Sequence, residues 1–203
     1  MLVGGGFLHQ LAAPGLRWMS VNVALAVAPI ALATILFVVR GRGLLWWLGA
    51  GVFLLLLPNT PYILTDVIHL RASVAAARAA GASGIGMVAT FGALFALGIL
   101  GYTYVFALLV ADLRRRRRPH FIWPVVIATN LACALGVWLG RVQRLNSWDA
   151  ADPVTMAGAL REAITPRAAA AIGLVFVVVG AATLLIFGLT DRAARRVGRV
   201  ADR

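Results

Sequence analysis

Residues 54–70 read LLLLPNTPYILTDVIHL. Four leucines call for an apolar environment. Two prolines then bracket Asn59 and Thr60, and Tyr62, Thr65, Asp66 and His69 follow. The apolar run before the motif, residues 44–57, makes a helix of roughly 21 Å, short of the roughly 30 Å hydrocarbon core of a bilayer. Pro58 has no N–H for the Leu54 carbonyl, and Pro61 has none for the Leu57 carbonyl. The spacing predicts that the helix ends or kinks there, with Thr60 as an N-cap and Pro61 as the first residue of a new helix. On that helix Tyr62, Thr65, Asp66 and His69 fall at i, i+3, i+4 and i+7, on one face. Ile63, Leu64, Val67, Ile68 and Leu70 cover the other. Carbonyls freed by the prolines must face protein or a wet cavity. Two readings fit: polar residues that surface at the interface beyond a proline kink, or a polar stripe aimed into a cavity.

The rest of the chain supports a membrane setting. It has 203 residues, is 62% hydrophobic and has a mean hydropathy of +0.91. A soluble core does not absorb several apolar runs of about twenty residues, whereas a bilayer does. Five segments are long enough to span: 20–39, 44 through the opening motif, 85–110, 121–140 and 167–190. Trp46, Trp47 and Trp123 sit near segment ends, where aromatic anchors belong. The expected fold is an all-α polytopic helix bundle of about five spans, the second broken at Pro58/Pro61, with short interfacial helices. The whole chain, 1–203, reads as one membrane domain, with a short N-terminal tail over 1–19, the bundle over 20–190 and a basic tail over 191–203. Residues 1–15 carry no basic side chain and no long apolar run, so targeting is expected through the first span.

The net charge is +12, and all 19 basic residues are Arg. Most lie in loops and the tail, where they set orientation and meet anionic headgroups; a nucleic-acid partner is not expected. Five spans put Arg17, Arg71, Arg78, Arg141, Arg144, Arg161 and Arg167 on one side. Arg40, Arg42, the five at 114–118 and the five from Arg192 onward fall on the other, which is therefore expected to be cytoplasmic. The N-terminus is then outside and the C-terminus inside. Cys133 is the only cysteine, so no intrachain disulfide forms and no second thiol serves a metal. Neither a metal nor another cofactor is expected.

A second polar cluster follows the fourth segment, in GVWLGRVQRLNSWDAADPVTM, residues 136–156. Gly136 and Gly140 permit close helix packing. Arg141, Arg144, Asn146, Ser147, Trp148 and Asp149 come next, and Asp152-Pro153 reads as the start of a short helix to about Ile164. Thr165-Pro166 repeats the device and opens the fifth span. The topology puts this cluster on the same side as Tyr62 and His69. An unpaired charge at the bilayer centre costs about 2.5–3.5 kcal/mol on insertion scales, so Asp66 or Asp149 is expected to pair with Arg141 or Arg144. Such pairs either pin helices two and four or form a ligand or catalytic site. Asn130, mid-span, reads as an interhelical hydrogen bond.

PNTPYILTDVIHL followed about seventy residues on by GVWLGRVQRLNSWD resembles the DUF1361 family of bacterial membrane proteins, whose function is unknown. The resemblance rests on Pro58, Asn59, Pro61, Tyr62, Thr65, Asp66, His69, Leu70, Leu139, Gly140, Arg141, Arg144, Asn146, Ser147, Trp148 and Asp149, and extends over roughly residues 20 to 190. It implies a fold and no activity; the expected location is a bacterial inner membrane. Members usually open with a further span, absent here, and often carry an aromatic-acidic pair where this chain reads AAGASGIGM.

Asp66, His69 and Asp149 are the candidates for acid–base work. Asn59, Tyr62, Thr65, Arg141, Arg144, Asn146, Ser147 and Trp148 are the candidates for binding. The leading functional reading is a membrane subunit or scaffold that holds a membrane protein partner within the lipid bilayer. The alternatives are an outer-leaflet enzyme acting on an anionic or lipid-linked substrate, in which Arg141 and Arg144 grip the headgroup, and a small transporter component.

Overall fold

All regular structure among the described residues is helical. The computed structural model describes residues 17–38, 42–145, 149 and 151–201, the backbone alone for 17, 18, 182, 183 and 186–201. The helices are α1 (Arg17–Val38), α2 (Leu44–Leu56), α3 (Asn59–Tyr62), α4 (Val67–Ala79), α5 (Gly84–Arg115), α6 (Ile122–Arg141), α7 (Pro153–Ala163) and α8 (Pro166–Ala201). Four stretches are long and apolar enough to cross a membrane: Met19–Val38, Leu44–Ala79, Gly84–Arg115 and Pro119–Arg141. A fifth is reached through α7 and α8, which meet at an 88° bend. The chain is a polytopic helical bundle, and its apolar helices are those of a multi-pass membrane protein.

Local chemistry sets the ends. The Ser83 hydroxyl caps α5 by accepting from the Gly86 N–H, and Asp152 caps α7 by accepting from the Val154 N–H at 3.1 Å. Thr165 and Pro166 open α8 in the same manner, the Thr165 hydroxyl accepting from the Ala168 N–H. Gly81, at φ +73°, turns the chain from α4 into α5, where a side chain would be strained. Arg117 occupies the same left-handed region after α5, at φ +57°. The Thr155 hydroxyl also donates to Asp152; with the Val154 N–H it holds this exposed carboxyl below the usual carboxylate range.

The proline motif corrects one expectation. Thr60 is not an extended N-cap; it is helical within α3, and residues 44–79 run on as one candidate span in four segments. The backbone tightens instead of leaving the helix. The Thr60 N–H reaches the Leu57 carbonyl at 3.1 Å, and residues 63–66 form a 3₁₀ turn. The Asn59 amide donates to the Leu56 carbonyl at 2.9 Å, so a side chain takes up an acceptor beside the break. The Thr60 hydroxyl, fully buried, donates to the Ala26 carbonyl of α1 at 3.0 Å. The motif is thus an interrupted helix stitched to its neighbour.

Helix α5 is the centre of the bundle, with α1, α3, α4 and α8 packed on it and α6 packed on α8. One buried cluster joins α1, α2 and α5 through Phe37, Phe53, Leu57, Tyr102 and Phe106. A second joins Met19, Ile63, Phe91 and Leu94 near the other end. A third seats Ala134 and Trp138 of α6 against Ala168 and Ile172 of α8. Midway, Tyr102 donates to the Asn130 side-chain carbonyl at 2.9 Å, and the Asn130 amide donates to the Phe176 carbonyl at 3.2 Å. Asn130 therefore bonds α6 to both α5 and α8, an interhelical role as expected.

Candidate functional site

The site begins with missing side chains. A Cβ on Gly136 would lie 2.4 Å from the Pro58 ring, and one on Gly140 would lie 3.2 Å from Tyr62. These two glycines let α6 close on α3. That approach brings the two polar motifs together across 75 residues of chain. Arg141 donates from Nη2 to Asp66 Oδ1 at 2.7 Å and from Nε to Thr65 Oγ1 at 2.9 Å. Its guanidinium lies over the Tyr62 ring, 4.6 Å from the centroid. Thr65 passes its own proton to the Tyr62 carbonyl at 2.6 Å. Asn22 of α1 donates to the second Asp66 oxygen at 2.9 Å. Asp66 is 1% exposed, so its charge is taken out of solvent only because both oxygens are engaged.

Beside this pair lies a cavity of about 740 Å³ between α1, the 44–79 span, α6 and α7. Leu54, Leu55, Ala132, Leu135 and Leu139 form its apolar walls. Asn22, Asn59, Tyr62 and His69 also line it, with Arg141 at the end of α6 and Arg144 just beyond. Along α6 the lining runs from Ala132 to Arg141, roughly 13 Å of helix. Met156 of α7 also borders the cavity. The Gln143 amide donates to Glu162, which ties the segment after α6 to α7.

The candidate residues are thus placed differently. Asp66, Thr65 and Tyr62 meet Arg141 in one bonded group. Asn59 is half-buried on the cavity wall, while His69 and Arg144 are exposed along it. Arg144 sits at φ +57°, a conformation costly for a residue with a Cβ, and among the described residues no ion pair engages it. Asp149 is half-buried and does not line the cavity. Asn146, Ser147 and Trp148 lie outside the described residues. Among the described residues no three His, Cys, Asp or Glu side chains gather as a metal site would require. Asn22 was not among the candidates read from sequence. Its signal there is an amide one turn inside an otherwise apolar span.

A second charged knot, also unread from sequence, occupies the opposite end of the bundle. Asp112, buried near the end of α5, takes Arg42 at 2.7 Å, Arg115 at 2.8 Å and Arg116 at 2.9 Å. Its signal is an acid at i−3 and i−4 to two arginines, hidden in front of a basic run.

Comparison with known proteins adds one finding. No curated protein and no solved structure matches the chain. The family model described as a protein of unknown function, DUF1361, matches residues 21–184, which takes in both polar motifs and nearly all of the spans. The chain, with its proline-interrupted second span locked to Arg141, belongs to the DUF1361 family.

Proposed function

We propose that this protein is a non-catalytic membrane subunit that holds an amphiphile with an anionic head in the cavity between α1, the 44–79 span, α6 and α7. The observation that carries this reading is the lining of the cavity, mostly apolar, with Arg141 and Arg144 at and just after the end of α6. An alkyl or isoprenoid chain suits the leucine walls, and a phosphate or carboxylate suits Arg144, with Asn59 and His69 on the same lining. Arg141 serves as a fixed part of the wall, since Asp66 and Thr65 already hold it. Asp66 is correspondingly committed to structure, which favours binding over acid–base catalysis. The distribution of Arg supports a bacterial inner-membrane orientation with Arg141 and Arg144 on the extracytoplasmic side.

The test uses purified protein in neutral maltoside micelles, with dodecyl phosphate as the probe. Binding read by native mass spectrometry is expected to saturate for the wild type. It is expected to fall at least tenfold in R144Q and in the cavity-filling A132W, with helical content unchanged. Equal binding by all three proteins overturns the reading.

A further inference from the structure

We infer that the knot around Asp112 is a second, independent binding site, built for an anionic phospholipid with two phosphodiesters in its head. Three guanidinium charges meet one carboxylate there, which leaves +2 in the knot itself. Arg114, Arg117 and Arg118 are exposed and lie outside these bonds. The knot is rigid. Arg115 donates both to Asp112 Oδ1 and to the Phe37 carbonyl at the end of α1. Arg116 donates through Nε to both Asp112 oxygens, at 3.0 and 2.9 Å. Arg42 donates to Asp112 and stacks on Trp46, 4.2 Å from the ring centroid. Trp46 is itself fixed by its indole N–H, which donates to the Leu36 carbonyl at 2.8 Å.

Each guanidinium carries five N–H donors, far more than one carboxylate takes up. The side chains of Arg42, Arg115 and Arg116 keep 31%, 45% and 26% of their surface exposed, so donors remain on the outer side. Aspartate thus pre-orders a cationic surface without neutralising it, and a ligand that meets it loses little side-chain freedom. An apolar track leads away from this surface. Leu44, Leu48 and Val52 are exposed at i, i+4 and i+8 along α2, with Leu45 and Trp47 exposed at its start. A headgroup on the arginines would lay its acyl chains on that track. Two phosphodiester charges match the +2 of the knot, and a zwitterionic head does not.

Pre-ordering makes a prediction that simple charge does not. D112N removes a negative charge, so a diffuse basic rim would bind anionic lipid more tightly. A knot that depends on Asp112 binds it less tightly. Delipidated protein in maltoside micelles is titrated with diphosphatidylglycerol and with phosphatidylcholine, and bound lipid is read by native mass spectrometry. Wild type is expected to prefer the first at least tenfold. D112N and R115Q are expected to reduce that preference below threefold, while R114Q, which removes the same charge outside the knot, keeps it within twofold. Circular dichroism checks folding, and R115Q against R114Q decides the matter if D112N does not fold. Equal losses in R114Q and R115Q, a gain in D112N, or displacement of the lipid by a short single-stranded RNA with the same R115Q dependence overturns the inference. The titration is repeated in the R144Q background, which removes any contribution of the cavity, and the same difference between R115Q and R114Q is expected there, whichever way the cavity experiment falls.

Discussion

Asp66 and Arg141 are unequal partners, and the inequality can be measured. Asp66 is buried, while the Arg141 side chain keeps about a quarter of its surface and also holds Thr65 and Tyr62. R141Q therefore strands a buried carboxylate and is expected to destabilise by about 3–5 kcal/mol. D66N leaves an arginine that still reaches solvent and its other partners, so its effect is expected to be clearly smaller. Unfolding in detergent, followed by circular dichroism, checks the order; a larger loss in D66N would contradict the described bonding. Asp152 supplies a pH test. Its folded carboxyl lies below the ordinary range, so its stabilisation is present above the unfolded value and is lost as pH falls through the folded one. Acid is expected to loosen the first turn of α7, below roughly pH 4, in the wild type. Hydrogen exchange of that turn in D152N, corrected for intrinsic rates, should show no such pH step. That an acid here pairs with Arg141 or Arg144 was legible from the polar groups at i, i+3 and i+4; that the acid is Asp66 and not Asp149 was not. Asn22 was not, because a single amide near a span end carries no spacing that names its partner.

Among elements, the contact of α3 with α6 depends on atoms that are absent. Gly136 faces the Pro58 ring, while Gly158 of α7 has nothing within 4 Å of its would-be Cβ. G136A is expected to cost about 1–3 kcal/mol through forced overlap, and it should open the α3–α6 crossing. G158A is expected to be neutral or to stabilise by up to about 1 kcal/mol, since alanine favours a helix interior. Thermal unfolding of the two variants side by side reads the difference. The glycine pair and the caps at Asp152 and Thr165 were readable from local rules. The proline motif was misread in one respect. A Thr-Pro dipeptide signals a helix start, yet here the Leu56 and Leu57 carbonyls take the Asn59 amide and the Thr60 N–H, and the Thr60 hydroxyl donates to the Ala26 carbonyl of α1. Those partners are set by packing, which a local rule does not contain.

For the whole molecule, a polar bridge from Asn130 helps to hold α8 inside an apolar seam. N130A removes the bonds to Tyr102 and to the Phe176 carbonyl. It is expected to weaken the docking of α8 by about 0.6–1.7 kcal/mol, the range found for hydrogen bonds between membrane helices. Protease sensitivity at the bend between α7 and α8 should rise accordingly. The proposed orientation is tested by cysteine labelling: A80C should react with an impermeant reagent in intact cells, and R117C only after permeabilisation. Bundle class and the order of spans were legible because apolar length is a one-dimensional property. The walls of the cavity were not, because they come from four elements distant in sequence. The two buried aspartates also bear on biogenesis. Arg141 is translated 75 residues after Asp66, and Asp112 is translated 70 after Arg42. At about 5–20 residues per second, a nascent chain carries Asp66 without its counter-ion for several seconds. The second span must therefore stay shallow in the bilayer, or be shielded by the insertion machinery, until the fourth has been made.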